Sequence, residues 1–174
     1  MIKIESCSID NLDSIMDMQN SVFESNKKTG KENWFIVTGK ELLEEGLKNN
    51  ELLILGAFCK DELTAFIAMS FGDSRNMFKE LLNNGDKEFV YVKIIIVKEG
   101  YRGQGLQRTL LQALENEVLK NPQLKYMGAI THPDNIYSLR NFKAEGYEIK
   151  GKVIPDPKPG YPRVLLFKTL HNHN

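Results

Sequence analysis

Arg102-Gly103-Gln104-Gly105 stands between an apolar run that ends at Val97 and a leucine-rich stretch that opens at Leu106. Amides in the first turn of a helix have no partner within the helix, and the helix dipole is positive there. A glycine turn joining a buried strand to a helix therefore presents N–H groups to an anion, most often a phosphate. A P-loop would need Lys and Ser/Thr behind its second glycine, and nothing here supplies them. A dinucleotide fingerprint would need a third glycine where Arg108 stands, and an acidic residue about 20 positions on, where the chain has Lys125 and Tyr126. Alone, the glycine pair reads better as a tight turn than as a ligand site.

Composition narrows the function classes. The chain has 174 residues, 41% hydrophobic and 26% charged, which suits one globular domain, residues 1–174, with its own core. Lys and Arg number 23 against 23 Asp and Glu, so no net charge favours neutralising a nucleic-acid backbone. The opening MIKIESCSID lacks a signal pattern and no apolar run approaches a membrane span, so no membrane partner is expected. Cys7 and Cys59, a lone and widely spaced pair, read as reduced thiols of a cytoplasmic protein. His171 and His173 lie in a polar tail and His132 stands alone, so no metal is expected.

The elements around the turn follow from hydrophobic period and punctuation. Strands are expected at residues 2–7, 52–59, 62–71, 89–97, 125–131, 147–153 and 163–169, with Lys60-Asp61 closing a tight antiparallel hairpin. Helices are expected at residues 10–24, capped by Asp10, at 41–50, at 104–120 and at 135–145, the last closed by Gly146. A short helical piece is expected around 77–82. Residues 25–40, polar around Trp34-Phe35-Ile36, read as a mobile loop or short helix, and residues 154–162, with four prolines, as a stiff loop. The order predicts an α/β (α+β) fold with a mixed, largely antiparallel sheet flanked by helices.

Within that context the motif gains meaning. Arg102 to Gly105, after a strand and before a helix, resembles the Gln/Arg-x-x-Gly-x-Gly/Ala signature with which the GNAT superfamily of N-acetyltransferases binds acetyl-CoA. Asn135, Ser138-Leu139, Phe142 and Gly146-Tyr147 resemble its second block, Asn-x-x-Ala…Tyr…Gly-Phe, at the right distance. The two blocks span residues 89–153, and the amino-terminal part matches in element order alone. The resemblance implies a seven-stranded sheet splayed between its central strands to admit CoA. It further implies a pyrophosphate held by the amides of Gly103, Gln104, Gly105, Leu106, Gln107 and Arg108 beside Arg102. The pantetheine arm would pair with Ile95, Ile96 and Val97, and Asn135 and Phe142 would complete the cofactor site. Gln107 departs from the usual small residue, and its side chain is expected to crowd the pyrophosphate. Phe142 replaces a tyrosine that commonly protonates the departing thiolate.

The implied activity is acetyl transfer from acetyl-CoA to a primary amine of a small molecule or peptide, by direct attack on the thioester. A CoA-binding module without transferase activity is the alternative that Phe142 leaves open. A main-chain N–H near Ile95 would stabilise the oxyanion, a device worth about 3–4 kcal/mol. Catalytic candidates are His132, whose titration range suits a base, and Tyr91 and Tyr137 as donors, with Tyr147 at a position of the aromatic core. For His132 a role capping the loop before Pro133 stands beside the catalytic one. Phe23, Trp34 and Tyr161 lie where the superfamily builds acceptor sites. Tyr91 shares a strand face with Ile95 if alternation is unbroken, and a bulge would part them. A homodimer paired through sheet edges is a further expectation.

Overall fold

The computed structural model describes residues 1–73, 76–83, 85–153 and 161–170. Its centre is a seven-stranded sheet built from β1 (Ile2–Ser6), β2 (Leu52–Cys59), β3 (Glu62–Phe71), β4 (Phe89–Val97), β5 (Tyr126–Thr131), β6 (Glu148–Val153) and β7 (Arg163–Thr169), in the order β1-β2-β3-β4-β5-β7-β6. Every pair is antiparallel except β4 with β5. The Lys60-Asp61 turn between β2 and β3 has both residues at positive φ, 49° and 67°, the twist that tight hairpins require.

Among the described residues five α-helices cover the sheet: α1 (Leu12–Lys28), α2 (Lys40–Lys48), the four-residue α3 (Lys79–Leu82), α4 (Leu106–Val118) and α5 (Ile136–Ala144). One face carries α4 and α5, with Leu106, Leu110, Leu111, Leu114, Val118 and Phe142 packed on Val90, Val92, Met127, Ala129 and Leu166. The other face carries α1 and α2 over Ile54, Phe66, Ile94 and Ile96, and Phe78, just ahead of α3, over Phe89, Tyr91, Leu165 and Phe167.

Several boundaries move from the sequence expectation. Ser8, and not Asp10, starts the first helical segment: its hydroxyl accepts from the Asp10 amide at 3.2 Å and its own amide donates to the Asn11 side chain at 2.8 Å. A 3₁₀ turn, Ile9–Asn11, then leads into α1, which runs past residue 24 to Lys28. The stretch expected as a loop over 25–40 is therefore helical at its start, and Glu32–Trp34 form a second 3₁₀ turn. The proline-rich expectation at residues 154–160 lies outside the described residues.

Candidate active site

The sheet divides in its middle. The parallel pairing of β4 with β5 runs from Phe89↔Tyr126 to Val92↔Ala129 and stops, while β4 stays paired with β3 up to Val97↔Ala65. Beyond Ala129, β5 stays with β7 through Thr131↔Val164. Among the described residues no strand covers the β5-side edge of residues 94–97. The parting coincides with a bulge: Ala68 pairs with Ile94 and Met69 with Val92, so Lys93 is the extra residue on β4. Alternation flips there. Ile95 and Val97 pack toward α4, whereas Tyr91, Ile94 and Ile96 face the other side. Tyr91 and Ile95 therefore lie on opposite faces.

The glycine turn sits at the end of that open edge. Gly103 and Gly105 have φ of +78° and +79°, a region that costs other residues about 1–2 kcal/mol. A Cβ at either would meet nothing within 4 Å, so the space beside the turn is open. Gly105 is the N-cap of α4 and provides no side-chain cap, leaving the first-turn amides from Leu106 to Arg108 for an external acceptor. Arg102 donates from Nε to the Val97 carbonyl at 3.3 Å, fastening the turn to the strand end. This cradle of amides beside an open strand edge fits an extended phosphorylated ligand.

The second block holds the turn from the side. Gln107 donates to the Ser138 hydroxyl at 3.1 Å and accepts from the Asn141 side chain at 2.8 Å, so its side chain belongs to the α4–α5 seam and not to the space over the amides. The expected crowding of a pyrophosphate is thereby relieved. Asn135 caps α5, its Oδ1 accepting from the Ser138 amide at 3.2 Å. Phe142 is 2% exposed and meets Tyr147 edge-on, 5.0 Å between centroids, which leaves it little surface for a ligand. Burial raises the Tyr147 phenol far above its ordinary range, as suits a core residue. The Arg108 side chain pairs with Glu145 at 2.7 Å. Gln104 and Leu106 complete the turn, one exposed and one in the core.

A second group gathers on the opposite face. Trp34 stacks on His132 with centroids 5.3 Å apart and 18° between the planes, and the Lys31 ammonium lies 4.7 Å from the Trp34 ring. His132 is 5% exposed, and its Nδ1 accepts from the Asp134 amide at 3.1 Å. That bond fixes the proton of the neutral ring on Nε2. Burial holds the His132 pKa below its ordinary value; the Asp134 carboxylate opposes the shift and Arg163 adds to it. Arg163, the first residue of β7, is 4% exposed, with its guanidinium 5.7 Å from the Tyr161 ring and a hydrogen bond to the Pro162 carbonyl at 2.9 Å. The phenols of Tyr91 and Tyr161 favour its charge against the effect of burial.

Of the residues singled out in the sequence, Trp34, Tyr91, His132 and Tyr161 thus come together, from four segments, around Arg163. Arg163 itself escaped notice; its signal was a charged residue opening an apolar strand, in phase with Leu165 and Phe167. Phe23 is half-buried on α1, and no ring contact among the described residues joins it to this group. Tyr137 is 73% exposed in the first turn of α5, on the α4 side of the sheet.

Comparison with known proteins agrees with this geometry. The family model for the acetyltransferase (GNAT) family matches residues 12–147. Among curated proteins none matches the sequence. Similar solved structures include Arabidopsis thaliana NAA60 in complex with a bisubstrate analogue, at 14% identity and TM-score 0.78, covering 99% of both chains. The ribosomal-protein-alanine N-acetyltransferase from Brucella melitensis is 19% identical with TM-score 0.73, covering 97% of this chain and 99% of its own. The aminoglycoside acetyltransferase AAC(6')-Ib in complex with coenzyme A and kanamycin is 15% identical with TM-score 0.70, covering 97% of this chain and 95% of its own. The family model, over most of the chain, defines an acetyltransferase. This chain belongs to the GNAT family.

Proposed function

We propose that the protein transfers the acetyl group of acetyl-CoA to the primary amine of a small molecule or peptide, with the cofactor along the open edge of β4. The observation that carries this reading is the parting of β4 from β5 immediately before the glycine turn. Amides from Gly103 to Arg108 hold the pyrophosphate, and the exposed edge over Ile95, Ile96 and Val97 offers main-chain partners to the pantetheine arm. Asn135 closes the site from the start of α5, where its cap also fixes the helix against Gln107.

The thioester supplies an activated carbonyl, and the chain's part is to place a neutral amine against it. The bulge at Lys93 frees main-chain groups at the split, and an amide near Ile95 serves as the oxyanion donor, worth about 3–4 kcal/mol when preorganised. As the C–N bond forms and the C–S bond breaks, the sulfur departs as a thiolate, and the proton shed by the amine nitrogen goes to that thiolate or to solvent. Thiols ionise near a pKa of about 8.5, so Phe142 in place of a proton donor is tolerable. Tyr137 is the candidate donor on the cofactor side. Tyr91 and His132 serve the acceptor side, where His132 presents an Nε2–H donor and orients the acceptor. Trp34 and Tyr161 frame that side with it.

The test is the thermal midpoint with added acetyl-CoA for the native protein, Gly105→Ala and Gly105→Glu, followed by thiol release over a panel of amines. A saturable rise is expected in the native protein. Gly105→Ala keeps the rise at a lower starting midpoint, because the strain of positive φ costs about 1–2 kcal/mol. Gly105→Glu loses the rise, because a carboxylate takes the anion's place. A rise undiminished in Gly105→Glu would remove the cofactor from this turn.

A further inference from the structure

On the face opposite α4, one cation is buried among aromatic rings. Arg163 is 4% exposed, and among the described residues no carboxylate makes an ion pair with it. Guanidinium does not deprotonate in proteins, so its charge persists. Its hydrogen bond to the Pro162 carbonyl engages Nη1. His132, whose pKa Arg163 helps to hold down, accepts at Nδ1 from the Asp134 amide as a neutral ring, and Lys31 is exposed, so the buried positive charge of this group is that of Arg163.

Position connects this cation to the transfer point. Arg163 stands in phase with Leu165 and Phe167, which share a face with Tyr91. Tyr91 pairs with Gly128, one step before β4 and β5 part at Val92↔Ala129. Val164, next to Arg163, pairs with Thr131, the last residue of β5 beyond the split. Arg163 is thus one strand away from the parting, on the side the cofactor elements leave free. Tyr161, whose ring lies 5.7 Å from the guanidinium, is half-buried and comes from a connecting segment, so turning it aside would open the guanidinium without breaking the sheet.

We propose that the acceptor is an amino-acid-type molecule, a small primary amine bearing a carboxylate, and that Arg163 binds that carboxylate so that the amine lies at the β4–β5 split. This rests on the acetyl-transfer reading above. A planar guanidinium matches a carboxylate with two parallel hydrogen bonds, which fixes orientation as well as affinity. In a buried, aromatic surrounding the neutral amide of the same molecule leaves the cation without its counter-charge.

The experiment offers amino acids and their matching α-amides to the native protein with acetyl-CoA and follows thiol release. The fluorescence of Trp34, the single tryptophan, is followed in parallel with CoA in place of acetyl-CoA. The acids are expected to exceed their amides about tenfold or more in kcat/KM, chiefly through KM, and to alter the Trp34 signal saturably where the amides do not. Amides carry the less basic amine, so intrinsic reactivity works against this order. Arg163→Met is expected to erase the preference, and Arg163→Lys to keep part of it. Amides used as well as acids, or a preference that survives in Arg163→Met, would overturn the inference while leaving acetyl transfer intact. Transfer to neither acids nor amides would overturn the inference, and transfer to no amine of the wider panel would overturn acetyl transfer as well.

Discussion

His132 shows how burial and one hydrogen bond decide what a titratable residue does. Its ordinary titration range suits a base, and the sequence sets a loop-capping role before Pro133 beside that one. In the fold its Nδ1 lone pair is taken by the Asp134 amide, and burial disfavours the charged ring. The unfolded chain therefore binds this proton at higher pH than the folded one. The linkage sign follows: stability from keeping His132 neutral is fully present above about pH 6.5 and is lost as pH falls through the lower folded pKa. Trp34 reports the event, because an imidazolium stacked on indole quenches its emission. Emission is expected to fall with a midpoint below about 6.5, and His132→Gln should remove the transition. A midpoint above that value would contradict the burial argument. The glycines were legible because their spacing is local, and so was the loop-capping role of His132, which rests on the amide two residues on; its stacking on Trp34 was not, because that ring comes from a distant part of the chain.

Among the elements, the seam between α4 and α5 determines whether the turn keeps its shape. Glu145, just past the end of α5, has its side chain 9% exposed and accepts from Arg108 at 2.7 Å and from Gln112 at 3.1 and 3.2 Å. Its carbonyl accepts from Lys168 of β7 at 2.7 Å, and Lys168 also pairs with Glu115. One residue therefore joins two helices to the sheet. Glu145→Ala removes a charge-assisted pair and leaves Gln112 without this partner, so a loss of about 1–3 kcal/mol is expected, read as a drop of several degrees in Tm. The acetyl-CoA rise should persist, in contrast to Gly105→Glu, because the first-turn amides stay in place. A Tm within a degree of the native value would mean that the seam is held by Leu110, Leu114 and Phe142 alone. Leucines at helical spacing made both helices readable from sequence. The network across them was not, since Arg108 and Glu145 are far apart in the chain and each resembles an ordinary surface charge. For the same reason the Gln107 side chain was read as an obstruction, whereas it bonds Ser138 and Asn141 across the seam.

At the scale of the whole molecule, the sequence of elements along the chain, the hairpin and the two strand–helix units follow from hydrophobic runs and their punctuation, and the sheet has the seven strands expected, while the insertion of β7 between β5 and β6 has no local signal. The parting of β4 from β5 was implied by resemblance alone, because residues 89–97 form one apolar run with Lys93 as its single charge. Nothing local marks where pairing stops, since the bulge at Lys93 is a compromise between two neighbouring strands. Its consequence can be measured by hydrogen exchange. Within β4, Val90 to Val92 lie between β3 and β5, whereas Ile94 to Val97 have one strand neighbour among the described residues. In an antiparallel edge alternate amides point away from the partner, so part of the Ile94–Val97 set should exchange faster than the Val90–Val92 set in the free protein. With acetyl-CoA bound as proposed, those amides should slow selectively, because the pantetheine arm would supply the missing acceptors along that edge. The Val90–Val92 set should change little by comparison. Uniform slowing across β4 would instead mean that the ligand stabilises the fold globally from some other site, leaving the open edge without a role in binding.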